Sequence, residues 1–294
     1  MKNRTANQYF KERFGKKVYR IAIDGGFTCP NRDGTIDTRG CIFCSGYGSG
    51  EFAGSRNLSI TEQIEQGKAL VKEKMSISSG GYIAYFQAFT GTYAPMERLR
   101  NMYEEAIRHP DTVAVAIATR PDALPEDVLD LISSLNRIKP VWIELGLQTI
   151  HERSAGYIRR GYPLSVYEDA VERLSKRGIE IVTHIILGLP GESHKDMLET
   201  AAYLGKSPIS GIKIQLLHVL AGTDLADDFY QGKFTCMSME EYTDMVHDCI
   251  DLLRSDIVIH RMTGDGARKD LIAPLWSTDK KRVMNMLKKK LDIK

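Results

Sequence analysis

The chain has 294 residues, of which 43% are hydrophobic, and its formal net charge at pH 7 is +2. This length and apolar content predict one large domain with an ample core. No apolar run approaches the length of a membrane span, and an odd number of cysteines without an apolar signal segment argues against a disulfide scaffold. We therefore expect a cytoplasmic protein that does not contact a membrane.

Positive charge is concentrated at the two ends of the chain. Residues 1–20 carry seven Lys or Arg and one Glu, and residues 277–294 carry seven Lys or Arg and two Asp. The middle of the chain is therefore acidic. Two basic ends suggest contact with a polyanion such as a nucleic acid, whereas lysine-rich terminal helices are also common as solvent-exposed faces. Charge alone leaves both interpretations open.

Strand and helix patterns alternate along the chain. The predicted strands are Tyr19–Asp24, Tyr82–Phe89, Thr112–Thr119, Val141–Thr149, Ile179–Leu187, Ile212–Leu220 and a candidate last strand, Asp256–Arg261. The predicted helices are Ser59–Lys74, Pro95–His109, Pro125–Leu135, Ser165–Arg177, Ser193–Leu204, one that begins at Ser238, and Ser277–Leu291. Capping boxes at Ser59, Ser165 and Ser238 mark three of the helix starts.

The order of these elements predicts a parallel sheet with right-handed crossovers, which fits both a doubly wound sheet and a barrel. In the strand from Val141, a period of two places Trp142, Glu144, Gly146 and Gln148 on one face and aliphatic residues on the other. A sheet covered by helices on both faces rarely keeps such a polar face. We therefore expect an α/β fold, an open partial (β/α)6 TIM-like barrel with a wet lumen.

Three cysteines in one loop, Cys29, Cys41 and Cys44, form a C-x11-C-x2-C pattern after the first predicted strand. Thiolates at this density favour zinc or an iron–sulfur cluster. A closed zinc site or an ordinary electron-transfer cluster has four ligands, and no fourth lies nearby, because Cys236 and Cys249 are distant in sequence and the first histidine is His109. An open iron–sulfur cluster, a zinc site completed from elsewhere and unliganded thiols all remain possible on spacing alone.

This region resembles the radical S-adenosylmethionine (SAM) superfamily, and within it the bacterial YhcC/YtqA group, which is related to the elongator catalytic subunit. The resemblance lies in Asp24 to Gly34, which reads DGGFTCPNRDG, and in Gly40 to Cys44, which reads GCIFC. The gap of eleven residues departs from the usual C-x3-C-x2-C spacing of the superfamily but resembles the spacing found in this group. The resemblance implies that Cys29, Cys41 and Cys44 hold a [4Fe-4S] cluster whose fourth iron binds SAM. It also implies formation of a 5′-deoxyadenosyl radical after reduction by a reduced flavodoxin or ferredoxin type of donor.

The resemblance also implies SAM-binding residues at successive strand ends. The usual Gly-Gly-Glu tripeptide is absent after the second strand, and the segment Phe86–Tyr93 stands in its place. Arg160 matches the position of a polar SAM partner, with Arg159 as the alternative, and Gly188 would let the adenine approach the backbone. The full predicted set is Phe43, Gln87, Ala88, Thr90, Gln148, Arg160, Ile186 and Gly188. Catalytic residues that act on the substrate are not assigned.

The elongator relation implies side-chain modification of the tRNA wobble uridine. A small metabolite or a protein side chain is an alternative substrate, and a non-catalytic zinc or iron–sulfur RNA-binding module is an alternative function. If tRNA is bound, we expect the basic residues of both ends on the cluster side of the barrel: Lys11, Lys16, Lys17, Arg20, Lys280, Lys281 and Arg282. The expected division is a basic N-terminal extension (1–18), a core barrel (19–235) and a C-terminal helical extension (236–294).

Overall fold

The computed structural model describes residues 2–48, 50–72, 80–264, 266 and 268–292. Its main sheet contains seven strands, all parallel to their neighbours, in the order β1-β2-β3-β4-β5-β6-β8. The strands are β1 (Val18–Ile23), β2 (Gly81–Phe86), β3 (Thr112–Thr119), β4 (Val141–Gln148), β5 (Glu180–Leu187), β6 (Gly211–Leu216) and β8 (Val258–Arg261). The sheet is curled into an open half-barrel, which confirms the predicted fold, and β8 confirms the candidate last strand.

Ten helices accompany the strands in the described part of the chain. They are α1 (Ala6–Phe14), α2 (Ile60–Lys72), α3 (Met96–Arg108), α4 (Glu126–Asn136), α5 (Glu152–Tyr157), α6 (Leu164–Lys176), α7 (His194–Lys206), α8 (Asp224–Tyr230), α9 (Met239–Asp251) and α10 (Lys280–Lys290). The predicted end of the second helix at Lys74 lies outside the described residues. None of the helices described is both long and apolar enough to cross a membrane.

The two faces of the sheet differ in chemistry, as the strand pattern predicts. On β4, Ile143, Leu145 and Leu147 are buried in the large core shared with the helices. The alternate residues Glu144 and Gly146 line the lumen. The side-chain period of two therefore separates an apolar outer face, which packs on helices, from a polar inner face.

Helix α1 closes the amino-terminal end of the barrel. It begins with a capping box between Thr5 and Gln8 and ends at Gly15, whose φ of 65° suits a left-handed C-cap. Phe10 is 4% exposed and stacks on Trp142, with ring centroids 5.6 Å apart. From the sequence, residues 1–18 were expected only as a basic extension. The apolar face of α1 instead forms a small core cluster with residues of six strands.

Several element boundaries differ from the sequence prediction. The predicted strand Ile212–Leu220 is two strands, β6 and the short β7 (Val219–Leu220), and β7 pairs antiparallel with β9 (Leu271–Ala273). The capping box predicted at Ser165 is wrong, because α6 begins at Leu164 and its N-cap Pro163 has no side-chain bond. Residues 236–294 supply β8 to the main sheet as well as helices.

We predict that Phe10→Ala lowers the free energy of unfolding by about 3–5 kcal/mol, because the substitution leaves a cavity against Trp142 at the closed end of the barrel. Urea denaturation measures the change. The matched control is Tyr230→Ala, whose side chain is 71% exposed and which we expect to change stability by less than about 0.5 kcal/mol. Equal stability of Phe10→Ala and the parent chain would contradict this role of α1.

Candidate functional site: a cysteine-lined cavity in the barrel

A cavity of about 710 Å³ runs from the carboxyl ends of the strands into the lumen. Ligands of parallel α/β folds bind at this end of the sheet. Cys29, Cys41 and Cys44 all line the cavity, on the loop that follows β1. The structure therefore brings the three predicted metal ligands together at the mouth of the barrel.

The cysteine loop is bonded to the segment that follows α5. The buried Asn31 donates from Nδ2 to the carbonyl of Arg159 at 2.7 Å and lies 3.5 Å from Cys41 Sγ. The Ile42 amide donates to the Ile158 carbonyl at 3.2 Å, and Arg159 Nε donates to the Gly40 carbonyl at 2.9 Å. These contacts hold the loop in place through the protein itself. Sequence reasoning missed Asn31, although it lies inside the motif that carried the resemblance.

Two arginines place positive charge beside the cysteines. Arg32 donates from Nη2 to the carbonyls of Cys44 at 3.0 Å and Ser45 at 2.6 Å, and Arg120 also lines the cavity. A hydrogen bond with Cys44 and the charge of Arg120 lower the pKa of Cys41 to about 7 against the effect of burial. Burial and the neighbouring Cys41 raise the pKa of Cys44. The surroundings therefore favour at least one thiolate near neutral pH.

The three cysteine thiols do not all lie as close together as the ligands of a single zinc ion do. Ligand atoms of one tetrahedral zinc ion lie about 4 Å apart, given Zn–S bonds of about 2.3 Å. Among the described residues, the groups with all ligand atoms within 4.8 Å of one another contain no cysteine; they are Glu65–His109–Asp111 and His151–Asp196–Glu199. Cys236 and Cys249 are not part of the cavity lining, and burial raises their pKa values to about 11 and about 12. Cys41 and Cys44 are hydrogen-bonded to each other, but the three thiols together are not within the spacing that the ligands of one ion require.

Six of the eight predicted SAM contacts line the same cavity: Phe43, Gln87, Thr90, Gln148, Arg160 and Ile186. Ala88 is 1% exposed and lies beside this lining, where a Cβ on Gly50 would meet its side chain at 2.7 Å. Gly188 has φ 83°, and a Cβ there would meet Met237 at 3.2 Å. The SAM-binding roles of all eight residues stay predictions.

Arg160 is 2% exposed, and its guanidinium is largely occupied by backbone carbonyls. Nη1 donates to Thr149 at 2.7 Å and to Leu147 at 3.2 Å, and Nε donates to Tyr162 at 2.9 Å. These bonds join the end of β4 to the turn before α6. In the same region Gln148 has φ 64°, at an irregularity in the register between β4 and β5. A non-glycine residue in this left-handed conformation is uncommon, and the examples that do occur are concentrated at functional sites.

A set of ionisable residues lies deeper in the lumen. Glu144 and Lys213, each 1% exposed, form an ion pair. His184 Nε2 lies 2.9 Å from Glu144 Oε2, and Lys213 Nζ lies 2.9 Å from the Tyr85 hydroxyl. Tyr85 was missed, although it alternates with buried aliphatic residues on β2.

The basic residues before β1 do not lie on the cluster side, contrary to the sequence prediction. Lys11 is in α1, and Lys16 and Lys17 immediately precede β1, so all three lie at the amino-terminal end of the parallel sheet. The cysteine loop is at the opposite end. Arg20 points into the lumen instead of outward. The prediction failed because it used the position of these residues in the sequence and not the direction of the strand.

Two family models match the chain. The model of the radical SAM superfamily matches residues 37–204, and that of the Radical_SAM C-terminal domain matches residues 209–292. The chain belongs to the radical SAM superfamily. It is similar to the uncharacterized protein YtqA of Bacillus subtilis, with 44% identity over 98% of this chain and 89% of that protein. It is also similar to YhcC of Escherichia coli K12, with 36% identity over 90% of this chain and 84% of that protein.

This radical SAM enzyme, of the YhcC/YtqA type, is similar in fold to Methanocaldococcus infernus Elp3, with a TM-score of 0.68 and 17% identity. The alignment covers 93% of this chain and 63% of that one, so the chain spans less than two thirds of the archaeal protein. A more distant similarity is to the tRNA uridine(34) acetyltransferase of Methanocaldococcus jannaschii, with 26% identity over 46% of this chain and 25% of that protein.

We predict that acid destabilises the protein through His184. Burial, followed by the charge of Lys213, lowers the pKa of His184 to about 4, whereas an unfolded histidine has a pKa of about 6.5. Between these values the unfolded chain binds a proton that the folded chain does not. The free energy of unfolding should therefore fall as the pH falls through this window, by up to about 3 kcal/mol.

Urea denaturation between pH 7 and pH 5 measures this effect, above the range in which Glu144 is expected to titrate. The fall should be smaller in His184→Gln than in the parent chain. The control is His247→Gln, on the surface of α9, which should keep the parent profile. A His184→Gln profile that parallels the parent would show that His184 is not the responsible group.

Proposed function

We propose that the chain holds a [4Fe-4S] cluster on Cys29, Cys41 and Cys44 and cleaves SAM bound beside it. The observation that carries the proposal is the position of these three thiols, with no fourth cysteine in the cavity lining, at the mouth of a radical SAM barrel. When bound and reduced, the cluster and SAM supply a 5′-deoxyadenosyl radical that removes hydrogen from an unactivated carbon. A reduced flavodoxin or ferredoxin type of protein is the proposed electron donor.

The residues around the thiols have binding and orienting roles in this proposal. Asn31, Arg32 and Arg120 offset the negative charge of the thiolates and fix the loop. Gln87, Thr90 and Gln148 offer polar atoms to the methionine part of SAM, whereas Phe43 and Ile186 offer apolar surface to the adenine. Ala88 borders this pocket, and Gly188, directly after β5, would keep its backbone accessible to the adenine. Arg160 would act mainly by holding β4 against the turn before α6, since carbonyls occupy its donors.

The proposed substrate is the wobble uridine of tRNA, whose side chain would be modified. The partial similarity to a tRNA uridine(34) acetyltransferase supports this substrate. Exposed aromatic residues near the cavity mouth support it as well: Tyr47 is 57% exposed, Phe52 is 61% exposed, and Lys269 Nζ lies 5.7 Å from the Tyr47 ring. Aromatic and cationic side chains in combination bind unstacked bases of single-stranded RNA.

We predict that Cys29→Ala, Cys41→Ala and Cys44→Ala each abolish the iron content and SAM cleavage of anaerobically reconstituted protein. Loss of one thiolate leaves only two protein ligands for the cluster. Iron analysis, visible absorbance and chromatography of 5′-deoxyadenosine measure the two outcomes. Cys236→Ala is the matched control and should retain both, because Cys236 is not part of the cavity lining. A colourless protein that binds one zinc ion would instead support a non-catalytic metal module.

We also predict that the triple charge reversal Lys280→Glu, Lys281→Glu and Arg282→Glu weakens tRNA binding. These exposed residues form the first turn of α10, which follows β9 on the cysteine side of the barrel. Each phosphate contact contributes nearly one unit to the slope of log K against log salt in duplex regions. Filter binding over a salt series should show lower affinity and a shallower slope in the variant.

The matched control for this variant reverses Lys11, Lys16 and Lys17 at the opposite end of the barrel, and we expect it to bind tRNA like the parent chain. Iron content and SAM cleavage without substrate should be unchanged in both triple variants. Binding that does not depend on salt, or an unaffected α10 variant, would remove the electrostatic support for a tRNA substrate.

A further inference from the structure

The inner end of the cavity is lined by a group of ionisable side chains, here called the floor cluster: Arg20, Tyr85, Glu144, His184, Lys213 and Arg261. The sheet register brings them together, since His184 pairs with Lys213 across β5 and β6, and Lys213 pairs with Arg261 across β6 and β8. Beneath them, Phe10 and Trp142 seal the amino-terminal end. The floor cluster is therefore reached from the side of the cysteines.

Cations outnumber carboxylates in the floor cluster. It contains Arg20, Lys213 and Arg261 but one carboxylate, Glu144, which is bonded to Lys213 and His184. Burial and the charges of Arg20 and Arg261 lower the pKa of Lys213 to about 7 despite the opposing effect of Glu144. Glu144 is thus paired with Lys213, and among the described residues no carboxylate remains in the floor cluster for Arg20.

Arg20 is a cation of the floor cluster with a donor left to bind a ligand. Its Nη2 lies 2.6 Å from His260 Nδ1, and its guanidinium lies over the rings of Phe10 and Tyr85. No carboxylate pairs with it among the described residues, and its Nε is buried without a hydrogen-bond partner. A buried donor of this kind carries a desolvation cost that a bound acceptor would remove.

A purely structural role explains the floor cluster poorly. A buried ion pair rarely stabilises a fold more than apolar residues of the same volume, and further cations beside it add repulsion. The barrel could be filled by aliphatic residues at these positions, as it is immediately below, where Ile83, Ala114 and Val182 pack together. Buried charged side chains beside an open cavity are instead typical of ligand-binding sites.

We propose that the floor cluster binds the carboxylate or phosphate group of a small-molecule substrate. Arg20 and Lys213 would donate to the anion, while Arg261 adds positive charge from β8. The rest of the substrate would extend toward the cysteines, because they line the same cavity as the floor cluster. The proposal rests on the proposed SAM chemistry for the reaction at the substrate carbon, and it gives that reaction a small-molecule substrate in place of the tRNA proposed above.

The test is isothermal titration calorimetry of inorganic phosphate and of acetate into the reconstituted full-length protein, with SAM at saturation so that the cluster offers no free iron. The relative affinities distinguish a phosphate site from a carboxylate site. We expect Arg20→Gln to weaken binding of the preferred anion roughly tenfold or more, and Arg20→Lys to restore part of it. We expect Glu144→Gln to tighten binding, because it removes the negative charge that competes for Lys213.

The control is Arg100→Gln on the outer surface of α3, which should bind the anions like the parent chain. If the floor cluster had only a structural role, Arg20→Gln and Glu144→Gln would not change the anion affinity in opposite directions. The proposal is overturned if neither anion binds, if the two variants leave the affinity unchanged, or if a short single-stranded RNA displaces the anion. The same titration is repeated on protein without the iron–sulfur cluster. Because the floor cluster contains no proposed metal ligand, anion binding should persist there even if SAM cleavage fails.

Discussion

The architecture depends on a half-barrel that is closed at one end. Seven parallel strands curl around a lumen, and the stack of Phe10 on Trp142 seals that lumen at the amino-terminal ends of the strands. A lumen open at both ends would let water reach every polar group on the inner face and weaken the electrostatic interactions there. Because α1 closes one end, the mouth beside the cysteines is the entrance that the described residues leave open. Cofactor and substrate would share this entrance.

The polar inner face has a free-energy cost that the outer face must offset. Glu144 and Lys213 are almost fully buried, and the desolvation of two charges often exceeds the attraction between them. The compensation comes from the extensive aliphatic core between the sheet and its helices, which includes Ile143, Leu145 and Ile214. The alternation along each strand thus places the apolar residues that stabilise the fold on one face and the polar residues of the candidate site on the other.

The sequence was informative wherever function or fold follows from local pattern. Alternation along Val141–Gln148 predicted the polar lumen, and the three-cysteine pattern predicted that these thiols lie together, because both signals are local in the sequence. The closing role of Phe10 was not predictable, since it depends on Trp142, which is 132 residues away. The position of Lys16 and Lys17 was mistaken for a related reason: charge is visible in a sequence, but the end of the sheet at which it lies is not.

The bonds between the cysteine loop and residues 158–161 bear on how the site forms. Asn31, Ile42 and Arg159 hold the loop through protein–protein hydrogen bonds that involve no metal. A loop fixed in this way has already lost most of its conformational freedom, so binding of a cluster need not supply the free energy to order it. This differs from small zinc domains, in which the metal supplies the folding energy. The proposed cluster site is therefore better understood as a preformed part of the barrel, held by these hydrogen bonds.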